Sequence, residues 1–189
     1  MQMILASGSP RRRELLEMLG LEFEVCPAKG GEHPPEHAGP EEIVLALSEA
    51  KAREVAEHSG SENVIIAADT IVWLDGALLG KPHDEAEAAW MLGALSGREH
   101  EVWTGVCIIK GDEKLAGAER TYVKFRDLTE DEISAYIATG EPMDKAGAYG
   151  AQGYASIFVE GIRGDFFNVM GLPICRLGKM LDKLGVKLL

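Results

Sequence analysis

Residues 64–74 read Val-Ile-Ile-Ala-Ala-Asp-Thr-Ile-Val-Trp-Leu, a strongly apolar run interrupted at its centre by Asp69 and Thr70. A run rich in β-branched residues predicts a strand, and the following Asp75-Gly76 pair is typical of a tight turn. An unpaired carboxylate in so apolar a strand costs free energy unless it meets a cation or a metal. The run therefore predicts a core strand with Asp69 as a metal ligand or general base. The alternatives are a structural ion pair with Lys51 or Lys81, or a bend that lifts Asp69 to the surface.

The segments on either side of this strand alternate between strand and helix patterns. Further strands are predicted at Met3–Ala6, Leu21–Cys26, Glu101–Lys110, Lys114–Phe125 and Tyr154–Val159. Helices are predicted from Pro10 to Leu19 with Ser9 as N-cap, from Glu41 to His58, to Leu95 with Asp84 as cap, from a capping box at Thr129 to about Thr139, and from Leu172 to Leu184. This interleaving predicts an α/β protein with a mixed twisted sheet flanked by helices. Its 189 residues fit one domain over 1–189, with room for two lobes and a cleft.

Composition excludes several classes of protein. The formal net charge of -12 argues against binding to DNA or RNA polymers, which requires a field of Lys and Arg. The three cysteines are far apart in sequence and suit a reducing compartment. We read no signal peptide at the N-terminus, and no apolar run is long enough to span a membrane. A cytoplasmic protein is expected.

Residues 7–13, Ser-Gly-Ser-Pro-Arg-Arg-Arg, join a strand to the start of a helix. Free backbone N–H groups and the helix dipole make that end positive, so three arginines there are unfavourable unless an anion binds. Gly8 would let a phosphate approach the backbone closely. The pattern favours a phosphate site, although arginines that extend into solvent or pair with surface carboxylates would also account for it.

Two lysines and two loops complete the set of candidates. Lys51 lies on the predicted inward face of its helix, where it either extends outward along its stem or meets a buried anion. Lys81 follows a strand closely and precedes Pro82. Glu32 offers a carboxylate for a hard metal such as Mg²⁺, or is simply a solvated loop residue. In the glycine-rich segment 145–153, the amide of Gln152 can both donate to and accept from a base edge, although most of the glycines there fit a tight connection.

Taken together, these segments resemble the Maf family of nucleotide pyrophosphatases, whose fold is akin to that of inosine triphosphate pyrophosphatases. The resemblance extends over nearly the whole chain. It rests on Leu5–Arg12, Ala50-Lys51-Ala52, Ala68–Val72, Gly80-Lys81-Pro82, Asp144–Gly150 and Gly171-Leu172-Pro173, which occur in the family's order and at its spacing.

The resemblance implies a role for each candidate. Asp69 would be the catalytic carboxylate and, with Glu32, would hold a divalent cation, Mg²⁺ or Mn²⁺. The phosphates would be held by Ser7, Arg12, Lys51 and Lys81. Base preference for dTTP and UTP would be marked by Arg11, Thr70 and Gln152. The family usually has an acidic residue before the matching glutamate, where this chain has Gly31. A homodimer is also implied.

The expected activity is metal-dependent hydrolysis of nucleoside triphosphates, dTTP, UTP and modified pyrimidine nucleotides among them, to a monophosphate and pyrophosphate. The alternatives are a non-catalytic nucleotide-binding regulator of cell division (septum formation) and a phosphatase that releases orthophosphate. Residues 7–13 would serve a binding protein equally well, whereas the carboxylates of Asp69 and Glu32 point to chemistry.

Overall fold

The computed structural model describes residues 2–31 and 33–188. The strands β1 to β7 are Met3–Leu5, Glu24–Val25, Val64–Leu74, Ala77–Leu79, Glu99–Lys110, Glu113–Phe125 and Val159–Arg163. The α-helices α1 to α6 are Pro10–Met18, Pro40–Ala56, Glu85–Leu95, Glu130–Ile137, Phe166–Met170 and Ile174–Lys183. Short 3-10 helices cover Glu141–Asp144, Ala146–Ala148 and Tyr154–Phe158.

The strands form a seven-stranded mixed sheet in the order β2-β1-β3-β5-β6-β7, with β4 paired to β3 beside this path. β1 pairs in parallel with both β2 and β3, whereas the β3–β4 and β6–β7 pairs are antiparallel. Helices α1 and α2 follow β1 and β2 along the chain, as crossovers between parallel strands require. The predicted α/β class with a mixed sheet is confirmed.

The chain divides into two compact units. Unit 1 contains Met1–Asp69, Thr104–Glu119 and Gly171–Leu189. Unit 2 contains Thr70–Trp103 and Arg120–Met170. The expectation of one domain with a cleft between two lobes stays a prediction.

In unit 1, the parallel strands carry a small apolar core. Leu5 pairs with Ile66, and the amide of Ala6 donates to the carbonyl of Ile66 at 2.8 Å. One cluster of buried apolar residues in this unit contains Ile4, Ala6, Ala52, Val55, Ile65, Ala67 and Cys107. Since side chains alternate along a strand, the face of β3 that carries Ile65 and Ala67 also carries Asp69. Asp69 therefore lies on the same face of β3 as core residues that pack with α2.

In unit 2, the rest of β3 turns into β4 at Asp75 and Gly76, with φ angles of 50° and 83°. Two successive positive φ angles are typical of a type I′ hairpin turn and confirm the predicted tight turn. The core of this unit includes the edge-to-face pairs that Phe125 forms with Tyr149 and Phe158, with ring centroids 4.7 Å and 6.2 Å apart. These rings anchor the segment that carries the candidate residue Gln152.

Two local predictions differ from the structure, one in the type of element and one in the capping contact. Residues 154–158 form a 3-10 helix and not a strand, and β7 begins only at Val159. Ala155 and Phe158 are buried three residues apart, which is the period of a 3-10 helix. Ser9 occupies the N-cap position of α1 as predicted, but its side chain makes no capping hydrogen bond.

Candidate functional site

The candidate catalytic carboxylate forms a largely buried ion pair. Nζ of Lys51 donates to Oδ1 of Asp69 at 2.5 Å, and the two side chains are 18% and 6% exposed. Lys51 comes from the face of α2 that also buries Leu47 and Val55. Burial of one such charge without the other would be costly, so the pair compensates the charge of Asp69. The structure thus joins two sequence-predicted site residues directly.

A second pair joins the strand end to the first turn of α1. Nη1 of Arg12 donates to the Ser7 hydroxyl at 3.0 Å, and Nε donates to the carbonyl of Gly171 at 2.8 Å. Arg12 is buried, with 9% of its surface exposed. A guanidinium fixed at two points has a defined direction, which suits recognition of a phosphate. Gly171 begins the segment Gly171-Leu172-Pro173, one of the segments that resemble the family.

The register of the sheet relates these two pairs. Leu5 is opposite Ile66 in the parallel pair β1–β3. Ser7 is two residues beyond Leu5, and Asp69 is three residues beyond Ile66, in the same direction. Neighbouring strands lie about 4.8 Å apart, so the Ser7 turn and Asp69 occupy adjacent positions at one end of β1. A candidate anion site and a carboxylate therefore lie on neighbouring strands.

The other arginines of α1 differ from Arg12. Arg13 is exposed and forms an ion pair with Glu17 at 2.8 Å, one helical turn later. This is the surface pairing that the sequence left as an alternative. Arg11 is half-buried. Of the three, Arg12 is the one buried against the Ser7 turn, which supports it as the phosphate ligand.

Three predicted residues lie in unit 2. Thr70 follows Asp69 in β3 and is half-buried, whereas Lys81 and Gln152 are exposed in loops. The amide of Gly147 donates to the carbonyl of Gly80 at 2.9 Å, which places the loop of Lys81 beside the glycine-rich segment. A Cβ at Gly147 would meet the side chain of Val72 at 2.8 Å, and its φ is 65°, so this position requires glycine.

A buried hydrogen bond secures the same glycine-rich segment. Nε2 of His100 lies 2.7 Å from the hydroxyl of Tyr149, and His100 is only 2% exposed. Burial lowers the pKa of His100 from 6.5 to about 3, so its imidazole is neutral at physiological pH. Burial also raises the pKa of Tyr149 well above its usual range. Both groups are consequently uncharged and serve packing and hydrogen bonding.

Two residues that support the site were missed from the sequence. The carboxylate of Glu54 accepts hydrogen bonds from the amides of Lys29 and Gly30 at 2.6 and 2.9 Å, which fixes the chain just before residue 31. These bonds lower the pKa of Glu54.

A Cβ at Gly105 would overlap the backbone carbonyl of Val44, so glycine lets α2 lie directly on β5. A lone glycine inside a strand pattern was the available signal for this close approach.

The predicted metal site is described only in part. Glu32 lies outside the described residues. Within residues 2–31 and 33–188, no group of three or more His, Cys, Asp and Glu side chains is arranged to hold a metal. Mg²⁺ is commonly bound by one or two carboxylates together with substrate phosphates and water. The carboxylate of Asp69, beside a candidate phosphate site, fits this mode of binding.

No described helix combines the length and apolar composition needed to cross a membrane. All three cysteines are free thiols, with Cys107 buried and Cys26 and Cys175 exposed.

Comparison with known proteins identifies relatives and a family that match nearly the whole chain. The dTTP/UTP pyrophosphatase of Symbiobacterium thermophilum is 50% identical over 185 residues, covering 97% of this chain and 94% of that protein. The dTTP/UTP pyrophosphatase of Bacillus cereus is also 50% identical over 185 residues, covering 98% of this chain and 96% of that protein. A crystal structure of a nucleoside-triphosphatase, a dITP/XTP pyrophosphatase from Mycobacterium abscessus, aligns over 97% of both chains with 19% identity and a TM-score of 0.48. A family model described as Maf-like protein matches residues 2–184, and this chain belongs to the Maf family.

Proposed function

We propose that this protein is a nucleoside triphosphate pyrophosphatase that hydrolyses dTTP, UTP and modified pyrimidine nucleotides to a monophosphate and pyrophosphate. The observation that carries the proposal is the buried ion pair between Lys51 and Asp69. Asp69 lies on β3, and the Arg12–Ser7 hydrogen bond lies just beyond the end of the neighbouring strand β1. Its relatives at 50% identity over nearly their full length are dTTP/UTP pyrophosphatases. A carboxylate can orient and deprotonate water, and an ammonium and a guanidinium can compensate the charge of a polyphosphate.

In the proposed mechanism, Arg12, the Ser7 hydroxyl, Lys51 and Lys81 bind the triphosphate. Asp69 orients a water molecule and accepts its proton as the water oxygen attacks the α-phosphorus. The bond from the α-phosphorus to the bridging oxygen breaks, and pyrophosphate leaves with its charge compensated by the cationic side chains. Positioning and charge compensation provide most of the catalysis, since the transition state spreads charge over the non-bridging oxygens.

We propose a divalent cation, Mg²⁺ or Mn²⁺, with Asp69 and Glu32 as its protein ligands. When bound, the cation would neutralise phosphate charge and polarise the reacting phosphoryl group. Asp69 is buried. Because it lies beside the candidate anion site, it would be the protein group that contacts the attacking water. The Glu54 hydrogen bonds to Lys29 and Gly30 would hold the chain that leads to Glu32.

Base preference, assembly and location complete the proposal. Arg11, Thr70 and Gln152 would select pyrimidine bases, because they match the residues that mark this preference in the dTTP and UTP branch of the family. The protein would act as a homodimer in the cytoplasm. Three free thiols suit a reducing compartment.

The proposal is tested with a panel of nucleoside triphosphates incubated with pure protein and Mg²⁺. Release of pyrophosphate and monophosphate from dTTP and UTP, faster than from purine nucleotides, is expected. Release of orthophosphate would identify a phosphatase instead. Binding of dTTP without any turnover, measured by calorimetry on the same sample, would identify a nucleotide-binding regulator. A preference for purines would contradict the roles of Arg11, Thr70 and Gln152.

A further inference from the structure

The loop that carries Gln152 is fastened at both ends by one pair of side chains. We name residues Gly150–Tyr154 the Gln152 loop. At its start, the amide of Gly150 donates to the hydroxyl of Tyr136 at 3.4 Å. At its end, the amide of Tyr154 donates to Oε2 of Glu141 at 3.1 Å. The two ends of the loop are therefore bound by residues from outside it.

Tyr136 and Glu141 also bind each other. The Tyr136 hydroxyl donates to Oε1 of Glu141 at 2.9 Å, which leaves its oxygen to accept from Gly150. One carboxylate thus accepts from both the phenol and the Tyr154 amide. The Gly150 amide, the Tyr136 hydroxyl, the Glu141 carboxylate and the Tyr154 amide form a continuous chain of hydrogen bonds that closes the loop.

Burial and packing hold this pair in place. Tyr136 is 4% exposed, and its ring meets Phe158 edge to face at 5.2 Å. Glu141 follows Gly140, whose φ is 75°, and begins a 3-10 helix. Nζ of Lys145 donates to the carbonyl of Glu141 at 2.8 Å. A fixed phenol and a fixed carboxylate leave the loop backbone little freedom.

The loop itself is shaped to fit the carboxylate. Gly153 has a φ of 112°, and a Cβ there would lie 2.7 Å from Oε2 of Glu141. Glycine is therefore required for the carboxylate to reach the amide of Tyr154. Gln152 lies between the two fastened ends and is exposed. Its placement depends on a backbone that Tyr136 and Glu141 hold.

We infer that Tyr136 and Glu141 are positioning residues for base recognition: they hold the Gln152 loop in the conformation in which Gln152 reads the pyrimidine. The inference rests on the proposed function, in which Gln152 contacts the base. It adds two residues that would act through the loop and not by contact with the reacting phosphates.

The test compares Tyr136→Phe, which removes only the hydroxyl, with Glu141→Leu, which removes both carboxylate acceptors. Loss of one such hydrogen bond is worth about 1 kcal/mol, or roughly fivefold in an equilibrium. We expect KM for dTTP to rise roughly fivefold or more in both variants, and the ratio of kcat/KM for dTTP over dCTP to fall by a similar factor. Since the Lys51–Asp69 pair is untouched, kcat should change much less.

Two control variants and one further measurement separate positioning from general damage. Glu141→Gln keeps one acceptor for the Tyr154 amide and should recover part of the base discrimination. Glu160→Gln changes an exposed carboxylate of β7 and should leave every parameter unchanged. Amide exchange, followed by NMR without nucleotide, should accelerate at least fivefold at Gly150 in Tyr136→Phe and at Tyr154 in Glu141→Leu, because each variant lacks the acceptor of that amide.

The outcomes are distinguishable. If the wild type discriminates dTTP from dCTP but both variants retain that discrimination, the inference is wrong while the proposed function stands. The inference is also wrong if the variants lose kcat equally for all nucleotides with KM unchanged, since that indicates only a smaller folded fraction. If the wild type releases no pyrophosphate from any nucleotide, the proposed function is wrong and the base-reading role falls with it.

Discussion

Nζ of Lys51, on helix α2, lies 2.5 Å from Oδ1 of Asp69, on strand β3. The explanations that the sequence left for a carboxylate in this apolar strand include a structural ion pair and a catalytic base. The geometry makes these compatible, because an ion pair that compensates Asp69 before substrate binds also delivers an ammonium to the place where phosphates would arrive.

Removing the ammonium should destabilise the fold. In Lys51→Met, Asp69 loses a charged hydrogen-bond donor at a position where only 6% of its side chain is exposed. We expect the free energy of unfolding in urea to fall by about 1–3 kcal/mol at pH 7. Lys114→Met is the matched control, since Lys114 pairs with Glu49 at 2.7 Å but is 38% exposed. Its loss should stay below about 1 kcal/mol. Equal losses in the two variants would contradict a special contribution from the Lys51–Asp69 pair.

The close approach of α2 to β5 at Gly105 can be tested by adding one methyl group. In Gly105→Ala the new Cβ would overlap the carbonyl of Val44, and only backbone movement can relieve that overlap. We expect a loss in the free energy of unfolding of at least about 1–3 kcal/mol, together with weaker nucleotide hydrolysis because α2 carries Lys51.

Gly93→Ala provides the control for that substitution. Gly93 lies within α3, and its added Cβ would meet nothing within 4 Å. Alanine in a helix interior should stabilise the protein by about 0.5–1 kcal/mol. A Gly105→Ala variant as stable as Gly93→Ala would show that α2 and β5 are not in backbone contact.

Stability should depend on pH through His100. Its pKa is lowered from 6.5 to about 3 by burial, so the unfolded chain takes up a proton that the folded chain rejects. The stability contribution is complete above pH 6.5 and is lost progressively as the pH falls toward 3. At pH 5.5 the loss should be on the order of 1 kcal/mol.

The measurement is urea unfolding at pH 7.5 and 5.5 for the wild type, His100→Gln and His83→Gln. His100→Gln removes the titrating group while retaining a partner for the Tyr149 hydroxyl. Between pH 7.5 and 5.5, its free energy of unfolding should therefore fall by less than that of the wild type, and the difference should be about the loss attributed to His100. His83 is exposed, and His83→Gln should follow the wild type. Identical pH dependence in all three proteins would contradict a neutral, buried His100.

Much of the fold follows from local sequence. The apolar run of β3 was predicted with its observed ends, Val64 and Leu74, because β-branched residues and a tight turn define it. Asp84 and Thr129 cap their helices as predicted, through bonds to the amides of Glu87 and Glu132. The 3-10 helix at residues 154–158 was missed, since its aromatic and β-branched composition also suits a strand.

The site was predictable only as a set of candidates. Residue types and their positions on strands and helices indicate Asp69, Lys51 and Arg12 separately, but the Lys51–Asp69 contact depends on how α2 packs on the sheet. The contacts of Arg12 with Gly171 and of Tyr154 with Glu141 join segments 159 and 13 residues apart. Such contacts follow from tertiary packing, which no local pattern specifies.

The central claim is that Asp69 performs the chemistry, and Asp69→Asn tests it most directly. Asparagine keeps the size of the side chain and a hydrogen-bond acceptor, so the fold should persist, as circular dichroism and urea unfolding would verify. A positioned general base contributes roughly 10²–10⁴-fold. We therefore predict that kcat for pyrophosphate release from dTTP with Mg²⁺ falls by a factor of at least about 10². A folded Asp69→Asn protein with turnover close to that of the wild type would contradict the claim.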